Sequence, residues 1–351
     1  MVILSSLTFL IVLGLAGCAT EKSVQKGEAI NMTWPLPPDP PRIKYLKSIQ
    51  DAKEVLPKKG FFKKAAAFLF GEEVTPGLIH PYGLMIGPSG KIYISDTDLQ
   101  VVHLFDFTGH SYSQVFKIPG GILRSPVGVA VDARYNLYVS DSELGRIFQF
   151  SPEGKFIKAW GVPMKRPTGI AMDSGRSFLY AVDTAEHHVL AFNLKGEKLF
   201  EFGKRGTGEG EFNFPTQIAV NPANGDIYIA DSMNFRVQQF TLEGKFIKQI
   251  GSVGSQIGNF SKLKGIAVDS NGILFAVDGL YDTVQMFNNK GELLMSFGKA
   301  GNHEGEFWLP AGISVEEGAD GEKIYVADSY NKRVQVFQLL EPVSSLDGEV
   351  K

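Results

Sequence analysis

The stretch FPTQIAVNPANGDIYIADSMNFRVQQFTLEGKFIKQIG, residues 214–251, decides the fold, because near-copies of it return five more times along the chain. Gln217–Val220 and Asp226–Ala230 are short β-rich runs, and Asn221-Pro222 with Asn224-Gly225 supplies the turn between them. A third run, Arg236–Phe240, is joined through Glu243-Gly244 to a fourth, Lys245–Ile250. The unit is therefore a four-stranded antiparallel meander closed by tight turns, with Asp231 where the second strand ends. Such a sheet cannot bury both of its faces alone.

Aligning the copies on that aspartate gives Asp96, Asp141, Asp183, Asp231, Asp278 and Asp328. Nine residues after each stands a phenylalanine: Phe105, Phe150, Phe192, Phe240, Phe287 and Phe337. Successive aspartates lie 42 to 50 residues apart, which suits a propeller blade and exceeds the period of leucine-rich or helical repeats. A second column, Gly83, Gly128, Gly169, Gln217, Gly265 and Gly312, opens the first and innermost strand of each copy. Where six strands crowd a central axis, a residue without a Cβ lets backbones approach. The expected fold is all-β: a six-bladed β-propeller of four-stranded antiparallel blades over residues 80–340.

The repeat, GxGEFxxPxGIAVDxxxxIYVADxxNxRVQVF in outline, resembles the NHL repeat, most fully from Gly208 to Phe240 and from Gly305 to Phe337. Blades 1, 3 and 5 depart from it, with Val101, His188 and Thr283 where blades 2, 4 and 6 carry Arg146, Arg236 and Arg333. The resemblance implies the fold and leaves the function open.

At 351 residues, with 44% hydrophobic residues and 39 glycines, the chain is long enough for a large core with many β-turns. Its formal charge of −3 carries no footprint of a nucleic-acid partner.

The apolar run Val2–Ala16 is too short to span a bilayer comfortably and is followed at once by Cys18. Leu15-Ala16-Gly17-Cys18 resembles the lipobox of a bacterial lipoprotein. That resemblance implies a signal peptide over residues 1–17, cleavage before Cys18 and a diacylglycerol on its thiol, although Met1–Leu7 has no Lys or Arg. Ala19 after the cysteine implies outer-membrane sorting. No internal disulfide is possible, because Cys18 is the only cysteine.

Residues 18–41 are expected as a lipidated tether, extended by Pro35, Pro37, Pro38, Pro40 and Pro41 to at most about 70 Å. Arg42–Gln50 alternates like the fourth strand of a blade, whereas the sixth copy stops after its third strand and the tail 341–351 has no strand pattern. Residues 42–50 are therefore expected to complete blade 6 and close the ring. The insertion 51–79 contains KKGFFKKAAAFLF, residues 58–70, whose Phe61, Ala65, Phe68 and Leu69 share one helical face. It reads as a helix packed on the propeller, or as a basic aromatic helix lying in a membrane interface.

The repeated aspartates serve the repeat, as strand ends that cap loops. Asp132, Asp173, Asn221, Asp269 and Glu316 begin turns and need no metal to explain them. The six histidines, His80, His103, His110, His187, His188 and His303, share no metal-ligand register, and no nucleophile elbow or phosphate loop is present. No catalytic residue, cofactor or resident metal is expected. The leading reading is a non-enzymatic, monomeric binding scaffold for an envelope protein or anionic polymer. The alternative is a propeller lyase or lactonase-like hydrolase with a metal in the central channel.

Connectors between blades emerge on one face, carrying Arg124, Lys165, Arg166, Lys204, Arg205, Lys262, Lys264 and Lys299, with few acids expected to offset them. Acids gather on the opposite face, among them Asp320. The candidate binding face therefore comprises Arg166, Lys204, Arg205, Lys264, Gln217, Trp308 and His188, where a partner would dock by charge and aromatic contact.

Overall fold

Six antiparallel meanders surround a common axis, and each repeats the strand order read from residues 214–251. The computed structural model describes residues 32–36, 38–56, 76–87, 89–318 and 321–340. In blade 4, Pro215–Val220, Ile227–Asp231, Arg236–Phe240 and Phe246–Ile250 pair in sequence order. The second strand is buried along its whole length because neighbouring blades cover both of its faces. Along the fourth, part-buried and exposed residues alternate as far as Ile250, which is buried.

The core lies between blades. Six hydrophobic clusters each join two neighbouring sheets; Tyr180, Val182 and Phe212, for example, pack with Ile218, Ile229 and Phe240 across blades 3 and 4. Every phenylalanine of the repeated column is at most 1% exposed, so this column supplies the spacing between sheets. The glycine column makes the predicted close approach. A Cβ at Gly83 would strike the Val127 carbonyl oxygen of blade 2, and one at Gly312 would strike that of Tyr82 in blade 1.

The ring closes as expected. Ile43–Ile49 pairs antiparallel with Arg333–Leu339, with Ile43 opposite Leu339 and Ile49 opposite Val334. Blade 6 thus takes its outer strand from the N-terminal side of the chain. The structure adds a fifth strand, Thr33–Trp34, paired to the closing strand through Trp34 opposite Ile43. The Trp34 ring packs 5.7 Å from Phe337 and 6.0 Å from Phe297, so part of the stretch expected as a tether belongs to the propeller. The reason is hydrophobic: proline-rich chain offers no internal hydrogen bonds, and packing a partly buried tryptophan against two phenylalanines outweighs leaving it in water.

Of the insertion, the structure describes a short 3-10 turn, Ala52–Glu54, capped by Asp51, which accepts from the Lys53 N–H at 2.7 Å. The expected helix within residues 58–70, Cys18 with its signal segment, Asp320 and the tail 341–351 lie outside the described residues.

Candidate functional site

The repeated aspartates hold the mouth of the channel in place. Asp183 accepts from the N–H groups of Lys165 at 2.6 Å and Arg166 at 3.0 Å, and Asp278 accepts from Ser261 and Lys262 in the same way. Each aspartate therefore staples the connector leading into its blade, in addition to the following loop foreseen from the sequence; Leu280 and Tyr281 donate to Asp278 there. Arg236 and Arg333 reinforce this in blades 4 and 6, pairing with Asp231 at 2.9 Å and Asp328 at 2.8 Å. Burial raises both carboxyls above the ordinary aspartate range even so, against the opposing pull of amide donors and the arginines.

In blades 2, 3, 4 and 6 the residue after the aspartate then ties one blade to the next. The hydroxyls of Ser142, Thr184, Ser232 and Ser329 donate to the carbonyl oxygens of Pro167, Pro215, Leu263 and Pro81. Blade 5 breaks the pattern with Gly279.

On this connector face the channel opens into a concave mouth of about 380 Å³. Two rings of side chains line most of it. The residue before the glycine column contributes Tyr82, Val127, Thr168, Thr216, Lys264 and Ala311, and two positions earlier stand His80, Ser125, Arg166, Lys262 and Leu309. Below lies a channel of about 260 Å³, walled by aliphatic residues such as Met85, Ile170, Ile218 and Ile266 together with Gln217, Ser174 and Ser314.

Three cations, Arg166, Lys262 and Lys264, line the mouth, and no carboxylate does. Among the described residues none of the three side chains makes an ion pair or a hydrogen bond. Lys264 is the most enclosed: its ammonium lies 5.6 Å from the Tyr82 ring centroid, and burial lowers its pKa below the ordinary lysine range. Its stem runs across Gly279, where a Cβ would come 3.0 Å from Lys264 Cγ. The blade that lacks the stapling hydroxyl is thus the one whose lysine occupies that space. Burial raises the Tyr82 phenol, opposed by the charges of Arg166 and Lys262.

At the rim, Trp308 is 53% exposed and Tyr330 49% exposed, with ring centroids 5.5 Å apart. Tyr330 in turn meets the His80 ring edge-on at 5.4 Å, and His80 Nδ1 lies 3.3 Å from Asp98 Oδ1.

The candidate face divides accordingly. Arg166 and Lys264 meet at the mouth, Trp308 flanks it, and Gln217 lies just inside the channel with its amide oxygen over Gly169, whose missing Cβ leaves room for it. Lys204 and Arg205 stand away from the lining on the connector between blades 3 and 4, and Lys204 is paired with Glu211 at 3.2 Å. His188 does not line the mouth. It pairs with Asp183 at the start of a third strand, the register position that Arg236 occupies opposite Asp231, and so sits in the blade.

The expectation that few acids offset this face is also corrected. Lys165 pairs with Glu186 at 2.8 Å and Lys299 with Glu306 at 3.3 Å, because the connectors and the loops after second strands supply carboxylates of their own. Positive charge is thereby concentrated at the mouth. On the opposite side Asp132 accepts from Arg134, Asn136 and Tyr138, as turn formation requires, and Asp173 is offset by Arg176 at 2.7 Å. No group of three or more His, Cys, Asp or Glu among the described residues is arranged to hold a metal ion. Tyr82 and Gly279 were missed from sequence, yet aligning the residues beside the glycine and aspartate columns marks both.

The chain is a six-bladed β-propeller. A family model described as a 6-bladed beta-propeller (DUF5128) matches residues 161–251. Virginiamycin B lyase from Staphylococcus aureus is similar in fold, with a TM-score of 0.55 at 13% identity, covering 75% of this chain and 96% of that one. Hydrazine synthase from Kuenenia stuttgartiensis gives a TM-score of 0.54 at 12% identity, over 77% and 99% of the two chains. An auxiliary nutrient binding protein from Bacteroides thetaiotaomicron gives 0.59 at 14% identity, over 76% and 70%. At these identities the likeness is one of fold. No curated protein matches the sequence.

Proposed function

We propose that this propeller is a non-enzymatic binding scaffold that docks an anionic component of the cell envelope, protein or polymer, over its connector-side mouth. Lipid on Cys18 would hold it at the bacterial outer membrane. The observation that carries this reading is the set of three cations, Arg166, Lys262 and Lys264, that line a concave opening with no carboxylate in its lining and make no ion pair among the described residues. Charge left unpaired in a cleft with low-dielectric walls focuses field outward and attracts the opposite sign.

The test is affinity capture from envelope extract. Recovery should fall as salt rises, because exposed charges are screened beyond about 8 Å at physiological ionic strength. Arg166→Glu with Lys264→Glu should reduce capture without lowering the melting temperature. Equal recovery by the double variant would place docking elsewhere. One observation favours a second reading, a channel lyase or hydrolase: His80 is oriented by Asp98 at the edge of the same mouth. Incubation should leave the captured partner intact; breakdown lost in His80→Ala would establish the enzyme.

A further inference from the structure

Three properties of the mouth describe one kind of ligand when taken together. Its volume of about 380 Å³ is at the low end for a small-molecule site and admits one or two ring-sized groups. A docking protein, by contrast, needs roughly 800 Å² of surface on each partner. The deepest cation, Lys264, is reached only by something narrow enough to enter the opening. That favours a chain of small units over a folded domain.

The second property is the mixture of polar groups. Alongside the cations, the hydroxyls of Thr97 and Ser125 line the mouth, and among the described residues neither has a hydrogen-bond partner. The other hydroxyls of the stapling column are spent on carbonyl oxygens of neighbouring blades. Free hydroxyls both donate and accept, so they suit a ligand with hydroxyls of its own. A bare inorganic anion would use only the cations.

The third is the aromatic rim. Trp308 and Tyr330 present about half of their surface to solvent, side by side, at the edge of a cationic opening. Flat, partly exposed rings with a polar tip are suited to a surface that is apolar on one side and wet on the other. A pyranose has that character, with C–H groups on its face and hydroxyls on its edge.

From this juxtaposition we infer that the mouth binds an acidic polysaccharide. One uronate carboxylate sits among Arg166, Lys262 and Lys264, hydroxyls of the same chain bond Thr97 and Ser125, and a neighbouring ring lies against Trp308 and Tyr330. This rests on the docking reading above and deepens it. Gly279 is then a specificity position: it clears the space through which Lys264 reaches the opening.

Calorimetric titration of the full propeller with tetragalacturonate, uncharged galactotetraose and tripolyphosphate tests the inference. Tetragalacturonate should bind and galactotetraose should not. Lys264→Gln should weaken binding about tenfold, as for one lost hydrogen bond to a charged group. Gly279→Ser should do the same by displacing the lysine, and Trp308→Ala should weaken tetragalacturonate binding while melting unchanged. Should Lys264→Gln melt early, Arg166→Gln, at an exposed position, provides the charge test instead. Tripolyphosphate binding as tightly, with Trp308→Ala neutral, would overturn the sugar assignment and leave the docking reading standing, as would capture of an acidic protein alone through the same cations. No heat with tetragalacturonate would overturn the inference, and envelope capture that ignores the mouth variants would separately sink the docking reading.

Discussion

The Ser329 hydroxyl donates to the Pro81 carbonyl oxygen at 2.6 Å, joining the second strand of blade 6 to the first strand of blade 1 across the seam of the ring. The closing strand crosses the same seam by another route, with residues from Ile43 to Ile49 opposite Leu339 to Val334. Two independent contacts therefore hold the ring shut, and they differ in size. Ser329→Ala should cost about 1 kcal/mol, as for a single neutral hydrogen bond. Deleting residues 42–50 should abolish cooperative melting, since it bares an edge strand and the cluster in which Ile49 packs with Leu84 and Val336. A deletion variant that melts like the parent in calorimetry would show that the seam does not depend on this strand.

Arg333 is 4% exposed and pairs with Asp328 at 2.8 Å, while its Nη2 also donates to the carbonyl oxygens of His303 and Glu306. Removing the arginine strands a buried carboxylate and two connector carbonyls, so Arg333→Ala should lose roughly 3 kcal/mol in urea unfolding. Arg166→Ala, which breaks no described contact, should stay within about 0.5 kcal/mol of the parent. Similar losses in the two variants would contradict the division between structural and ligand-facing arginines.

Glu322 gives the stability a pH dependence. Burial and the neighbouring charge of Asp269 raise its carboxyl to about 8, far above the value it takes in an unfolded chain. The folded state therefore holds this proton where the unfolded state has released it, and stability falls as pH rises from the ordinary glutamate range toward 8. Glu322→Gln keeps the shape and removes the charge. Its melting temperature should exceed that of the parent by a margin that widens across that window and levels off above it. A margin independent of pH would mean that Glu322 ionises normally.

Cys18→Ala should move the protein from membrane to soluble fractions, because acyl chains contribute about 0.8 kcal/mol for each buried CH₂. Retention on membranes after this change would transfer the anchoring role to the basic aromatic segment of residues 58–70.

The aspartate, phenylalanine and glycine columns were legible because each answers a demand made within one sheet or against the next, and the demand repeats with every blade. Asp231 holds the connector entering its blade, Phe240 spaces one sheet from its neighbour, and Gly83 permits a backbone contact; a residue type at fixed spacing is enough to show all three. The closing strand was legible for a related reason, since a copy missing its fourth strand leaves a pairing that only Arg42–Gln50 matches. The mouth was not legible in this way. Tyr82 and Lys264 belong to different blades, and nothing in the chain between them announces that their rings and charges meet 5.6 Å apart. Their meeting depends on the circle closing, which turns equal positions in separate repeats into neighbours around one opening. Tertiary structure likewise decided which cations are free. Lys204 and Lys299 resemble Lys264 in sequence, yet the first two fold back on the glutamates of their own connectors and the third faces an opening with no carboxylate in its lining. Local chemistry repeated along a chain specifies a blade, whereas a site at the axis exists only once six blades share it.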